Sequence, residues 1–180
     1  MAMSTLDPSR LVFLDESGFK DNLHRNYGWA PEGTKPTLYT ARQGRNLTVI
    51  GAMALDGVRA MATLDRGMDG DAFLGFLRNT LGPTLREGDI VVMDGPNVHR
   101  VAGVAETLAE FGAKALYLPP YSPEFNPIEM LWSVLKAWIR KIAPRTLGRV
   151  REAVERAWAK VTRDLCRSWI SHSGYPLLSS

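Results

Sequence analysis

Two aspartates follow directly on short apolar runs, Asp15 after Val12-Phe13-Leu14 and Asp94 after Val91-Val92-Met93. Apolar runs of this length read as buried strands, and the ends of strands in α/β sheets are where ligand crevices form. If the two strands are neighbours, their carboxylates converge. Two close carboxylates repel, which raises a pKa unless a cation lies between them. A divalent ion resolves the conflict, and hard oxygen donors suit Mg²⁺, whereas His or Cys would select zinc or copper. Glu16, next to Asp15, points to the opposite face if the strand continues, and is not chosen.

Glu129 is the candidate for a third ligand. Asn126-Pro127-Ile128-Glu129 also reads as a helix start, with Asn as N-cap, Pro at the first helical position and Glu closing a capping box. In that role Glu129 only bonds the first turn, a contribution of about 1 kcal/mol shared with the Asn cap. The residues alone leave both roles open. Glu129 shares a helix face with Ser133, Lys136 and Arg140, so its carboxylate would lie beside bases able to hold a DNA backbone. Three such carboxylates can hold two metal ions about 3.5–4 Å apart, the arrangement used for in-line displacement at phosphorus.

The elements that must position these groups follow from periodicity. Leu11–Leu14 predicts a strand followed by a turn. The polar, Gly- and Pro-rich segment from Asn22 to Gln43 predicts a long irregular excursion with Trp29 in its middle. Leu47–Leu55 and Val58–Asp65 predict two strands joined by Asp56-Gly57, a hairpin signal. Asp71–Leu81 has helical spacing, Ile90–Met93 reads as a strand, and Val98–Phe111 reads as a helix stopped by Gly112. Ala115–Leu118 predicts a strand before the Pro-rich turn Pro119–Pro127. Three helices follow, over Ile128–Ile142, Leu147–Val161 and Arg163–Ser171. Apolar residues Leu131, Val134, Leu135, Trp138, Ile139 and Ile142 mark the inner face of the first of them. This order predicts an α/β protein with an RNase H-like mixed sheet flanked by helices, in one domain over residues 1–180.

Composition narrows the function. An apolar content of 45% in 180 residues supports a packed core rather than disorder. The longest apolar stretches are too short to span a bilayer, and Met1–Arg10 lacks the apolar centre of a secretory signal. A single cysteine, Cys166, excludes an internal disulfide and a cysteine zinc site, and is read as a buried or helix-surface thiol in a reducing cytosol. The net charge is only +3, but residues 130–170 hold ten Lys/Arg against three Asp/Glu. That block suits a polyanion, and a solvated helical face is the plainer explanation. His24, His99 and His172 show no metal-site spacing. Walker, dinucleotide and nucleophile-elbow motifs are absent.

Three segments together resemble the mariner-like superfamily of DDE transposases, especially its bacterial insertion-sequence branch. The first is Phe13-Leu14-Asp15-Glu16-Ser17-Gly18-Phe19. The second is Val92-Met93-Asp94-Gly95-Pro96-Asn97-Val98-His99-Arg100, an aspartate followed five positions later by histidine. The third and most specific is Leu118 through Trp132, which contains Asn126-Pro127-Ile128-Glu129. The 34 residues between Asp94 and Glu129, 95 through 128, match the spacing of this branch, and the Gly28–Gly33 loop also resembles a family feature. The resemblance implies an RNase H-like fold, Asp15, Asp94 and Glu129 as catalytic metal ligands, and two divalent ions, Mg²⁺ or Mn²⁺. It implies metal-dependent strand cleavage and strand transfer at transposon ends.

DNA at transposon ends and target would then be the partner, contacted through Trp29, His99, Lys136 and Arg140, with Trp29 stacking on a base or merely anchoring its loop. A homodimer is expected, since two element ends must be held together, and the setting would be the cytoplasm at the bacterial chromosome. Two departures stand out. Gly95 follows Asp94 where the family usually has Asn, and only fourteen residues precede Asp15, too few for a helix-turn-helix module. The chain is then a truncation, or a separately encoded subunit or reading frame supplies recognition. The competing readings are a decayed, non-catalytic DNA-binding module and another RNase H-like nuclease.

Overall fold

Leu11 to Lys20 form the central strand β1 because alternate residues can be buried on both of its sides, Leu11, Phe13 and Phe19 on one and Val12 and Leu14 on the other. The computed structural model describes residues 6–22, 31–34, 44–95, 101–119 and 122–177. Strands β2 (Asn46–Ala54) and β3 (Gly57–Leu64) follow as an antiparallel hairpin, and β4 (Ile90–Met93) and β5 (Lys114–Tyr117) run parallel to β1. The sheet order is β3-β2-β1-β4-β5. The hairpin turns at Leu55-Asp56, and Gly57 takes the positive φ of 128° that its position requires.

Helices cover both faces. Helix α1 (Gly70–Phe76), capped by the Asp69 carboxylate on the Ala72 N–H at 2.9 Å, runs into a π-helical turn at Leu77–Leu81. With α2 (Val104–Ala109) it buries the side carrying Val12, Leu14, Ile50, Val91 and Met93. The other side, with Leu11, Phe13, Val49 and Val92, is covered by α3 (Ile128–Ile142), α4 (Leu147–Trp158) and α5 (Arg163–His172). This mixed sheet between helical layers is the RNase H-like arrangement expected from the order of elements.

Four expectations change. Strand β1 does not turn at Asp15 but runs on to Lys20, because Asp15 through Lys20 all pair with β2. Asp15 is therefore a mid-strand residue, while Glu16 faces the other side as the alternation requires. The helix foreseen over Val98–Phe111 is shorter among the described residues, starting at Val104 after Gly103 at φ 98° and ending before Gly112 at φ 70°. The buried stripe of α3 is Ile128, Leu131, Trp132, Leu135 and Ile139, turned toward Glu129 relative to the expectation. Val134 and Trp138 are only partly buried, and Ile142 is 60% exposed. Finally, the capping box is not formed: Pro127 occupies the cap position of α3 and no side chain caps it. Cys166 is a buried free thiol that burial pushes up to about 11.

Candidate active site

Residue parity sets Asp15 on one side of the sheet. Asp15 alternates with Phe13 and Phe19, which puts it on the face under α3, α4 and α5, and Asp94 follows directly on β4, whose Val92 packs on that same face. The parallel β1–β4 register aligns Leu14 with Met93, which sets Asp94 beside Asp15 at the end of β4. The Leu118 N–H donates to the Met93 carbonyl at 2.8 Å and holds that strand end against the chain leading to α3. Glu129 enters from the first turn of α3 and is solvent-exposed. The Tyr175 hydroxyl, donating to the Phe125 carbonyl at 2.8 Å, ties the approach to α3 to the end of the chain.

Burial and neighbouring charge act together on Asp15. Asp15 is 6% exposed, and its carboxyl is pushed up from 3.8 to about 8. Burial is the largest cause, followed by the charges of Asp94 and Glu129, with the Glu16 backbone pulling the other way. In chemistry the donor set, a buried Asp15 whose charge is opposed by the half-buried Asp94 and the exposed Glu129, suits a hard divalent cation. Among the described residues no group of three acidic, histidine or cysteine side chains is drawn together into a ready-made metal cage.

Trp132 is the residue that sequence reasoning missed. Its indole Nε1–H donates to Asp15 Oδ2 at 3.1 Å, and the side chain is 1% exposed. It lies three residues after Glu129, on the adjoining face of α3. A buried tryptophan N–H needs an acceptor, so an indole one turn from a candidate ligand was the available signal. Phe19 meets its ring edge-on at 6.2 Å, and Trp158 lies 6.2 Å away at 33°.

A cleft of about 320 Å³ opens beside Glu129, bounded by Asn126, Met130, Ser133, His172 and Ser173. Asn126 Oδ1 and Ser173 Oγ are buried without a hydrogen bond. On α3, Lys136 and Arg140 are half-buried, with Lys136 Nζ 5.7 Å from the centre of the Phe19 ring. Part of the basic block is committed to structure: Arg151 reaches Asp65 at 2.5 Å and Thr63 at 3.1 Å, and Arg156 pairs with Glu152 at 2.6 Å. Lys141, Arg145, Arg149 and Lys160 remain exposed. The expectations for Trp29 and His99 fall outside the described residues.

The sequence profile of the DDE superfamily endonucleases matches residues 10–151, most of the chain. The chain belongs to the DDE endonuclease superfamily. Its fold is similar to solved structures of Mos1 transposase. With the Mos1 paired-end complex carrying the left transposon end, the TM-score is 0.76 at 18% identity, over 93% of this chain and 56% of the other. With the mariner Mos1 paired-end complex with Mg the TM-score is 0.70 at 18% identity, over 93% and 57%. With the Mos1 catalytic domain bound to Raltegravir and Mn it is 0.65 at 15% identity, over 91% and 76%. The DDE chain thus spans little more than half the length of the transposase in its DNA complexes. Curated proteins yield no match. Among the described residues no helix is long and apolar enough to cross a membrane.

Proposed function

We propose that this DDE domain, a single catalytic unit over residues 1–180, cleaves DNA strands and transfers them at transposon ends, and that it comes from a bacterial insertion sequence of the mariner-like group. The observation that supports the reading is the buried Asp15, whose carboxyl is raised first by burial and then by the charges of Asp94 and Glu129. The three carboxylates would hold two divalent ions, Mg²⁺ or Mn²⁺, and similarity to Mos1 structures described with Mg and with Mn supports that choice. Bound there, the ions would activate an attacking water or sugar hydroxyl and stabilise the leaving oxygen.

The chain's own residues do the positioning. Asp15 offers its carboxylate from the rigid middle of β1, Asp94 from the end of β4, and Glu129 from a helix start where it is spared for this use by the lack of a capping bond. Burial at Asp15 keeps bulk water from one side of the centre and favours the protonated carboxyl, a preference that a bound cation would oppose. Lys136 and Arg140, farther along α3, would hold phosphates of the DNA backbone, with Trp29 and His99 as further DNA contacts. Phosphate contacts orient the duplex without reading its sequence. Recognition of the element ends would fall to a helix-turn-helix region or subunit, within a homodimer acting at the chromosome in the cytoplasm.

The test is nicking of supercoiled plasmid in Mn²⁺ by the wild-type chain, by Asp94→Ala and by wild type with EDTA. Nicking that disappears in both controls supports the reading. Equal nicking by wild type and Asp94→Ala overturns the assignment of the centre. Salt-sensitive DNA binding without any nicking, even with a recognition module supplied, would favour a non-catalytic DNA-binding domain.

A further inference from the structure

The buried indole that bonds Asp15 has a part to play that the carboxylates alone do not explain. Strand β1 supplies Asp15 and helix α3 supplies Glu129, and the two elements are linked at the site by Trp132 Nε1–H donating to Asp15 Oδ2 at 3.1 Å, a bond between residues 117 positions apart. The ring cannot easily turn away. Phe19 stands edge-on to it, Trp158 lies along its other side, and Gly51, across the ladder from Asp15, leaves the space it fills. A carboxylate with one oxygen held in this way is restricted in rotation, and a helix whose tryptophan is anchored on β1 is restricted in its approach.

We propose that Trp132 is a positioning residue for the metal centre: through its N–H it sets the orientation of Asp15 and fixes the placement of Glu129, one helical turn away, relative to it. The inference rests on the reading of Asp15, Asp94 and Glu129 as metal ligands. Groups hydrogen-bonded to metal ligands typically change metal affinity by about 10–100-fold when removed. A tryptophan that only filled the core would act through its shape and not through its N–H.

Mn²⁺ binding to the whole chain, followed by the electron paramagnetic resonance of free Mn²⁺, separates the possibilities. Two replacements are compared with wild type. Trp132→Phe removes the N–H and part of the ring. Incorporation of benzothienylalanine at position 132 keeps the bicyclic shape and substitutes sulfur for the N–H, so it tests the hydrogen bond even if Trp132→Phe folds poorly. The expected result is a Mn²⁺ dissociation constant raised about 10-fold or more in the benzothienylalanine protein, with its thermal melting little changed.

A second readout is the indole N–H resonance of Trp132 in the wild type, which should shift saturably with Mg²⁺. Unchanged Mn²⁺ affinity in the benzothienylalanine protein, with the loss of affinity retained in Asp94→Ala, would overturn the role of Trp132 and leave the metal-dependent reading standing. Absence of saturable Mn²⁺ binding by the wild type would overturn both.

Discussion

Gly51 stands opposite Asp15 in the β1–β2 ladder, and its missing side chain makes room for two tryptophans. A Cβ on Gly51 would lie 2.6 Å from Trp158 Cη2 and 2.9 Å from Trp132 Cη2, closer than real carbon contacts allow. Both neighbours are rigid rings that also pack on each other, so neither can yield alone. Gly51→Ala is therefore expected to cost about 1–3 kcal/mol of stability, the range for overpacking a filled core. Urea unfolding measures that cost. Because one of the two crowded rings is the one that bonds Asp15, metal-dependent nicking should fall even at temperatures where the variant remains folded.

The three carboxylates should be separable from the fold. Alanine at Asp15, Asp94 or Glu129 is expected to lower Mn²⁺-dependent nicking by roughly a thousand-fold, since ions at such sites contribute several kcal/mol to the transition state. Glu129→Ala should do so while shifting stability by less than about 0.5 kcal/mol, as befits an exposed residue. A loss near 1 kcal/mol on denaturant unfolding would instead mark a capping role.

The raised carboxyl of Asp15 makes stability depend on pH in a defined direction. Its ordinary value is 3.8 and its folded value about 8, so between the two the folded chain holds a proton that the unfolded chain has released. Stability without metal should therefore fall as pH rises from 3.8 to about 8. Asp15→Asn, neutral throughout, should melt at nearly the wild-type temperature at the acid end and increasingly above it toward the alkaline end. Mn²⁺ affinity of the wild type should rise over the same range, because binding displaces the proton. Thermal melts and Mn²⁺ titrations across that range provide the check.

Lys136 and Arg140 offer a test of the DNA face. Removing one side chain that neutralises a phosphate should reduce the slope of log affinity against log salt by about 0.9. Lys136→Ala and Arg140→Ala should therefore weaken binding of any duplex about equally, whatever its sequence. Fluorescence anisotropy over a salt series reads both quantities, and an unchanged slope would remove that residue from the interface.

Much of this was legible in the chain itself. Helix α3 lies where the three-and-four spacing of its apolar residues put it, from Ile128 to Ile142, and the β2–β3 hairpin forms at the turn signal. The apolar runs that lead into Asp15 and Asp94 do form strands, and those strands are parallel neighbours. These signals are local, carried by neighbours within a few residues, and they hold in any tertiary setting. Tertiary structure decided what local pattern leaves open. Pairing with β2 carries β1 past Asp15 to Lys20, so that a residue read as a strand end is enclosed in mid-strand. Packing turned α3 until Trp132 was buried and Asn126 was left without its capping bond. The Trp132–Asp15 bond joins residues 117 positions apart, and its geometry depends on Gly51 from a third element. No spacing along the chain encodes such a contact, because it exists only once sheet register and helix rotation have been chosen together by the burial of the core.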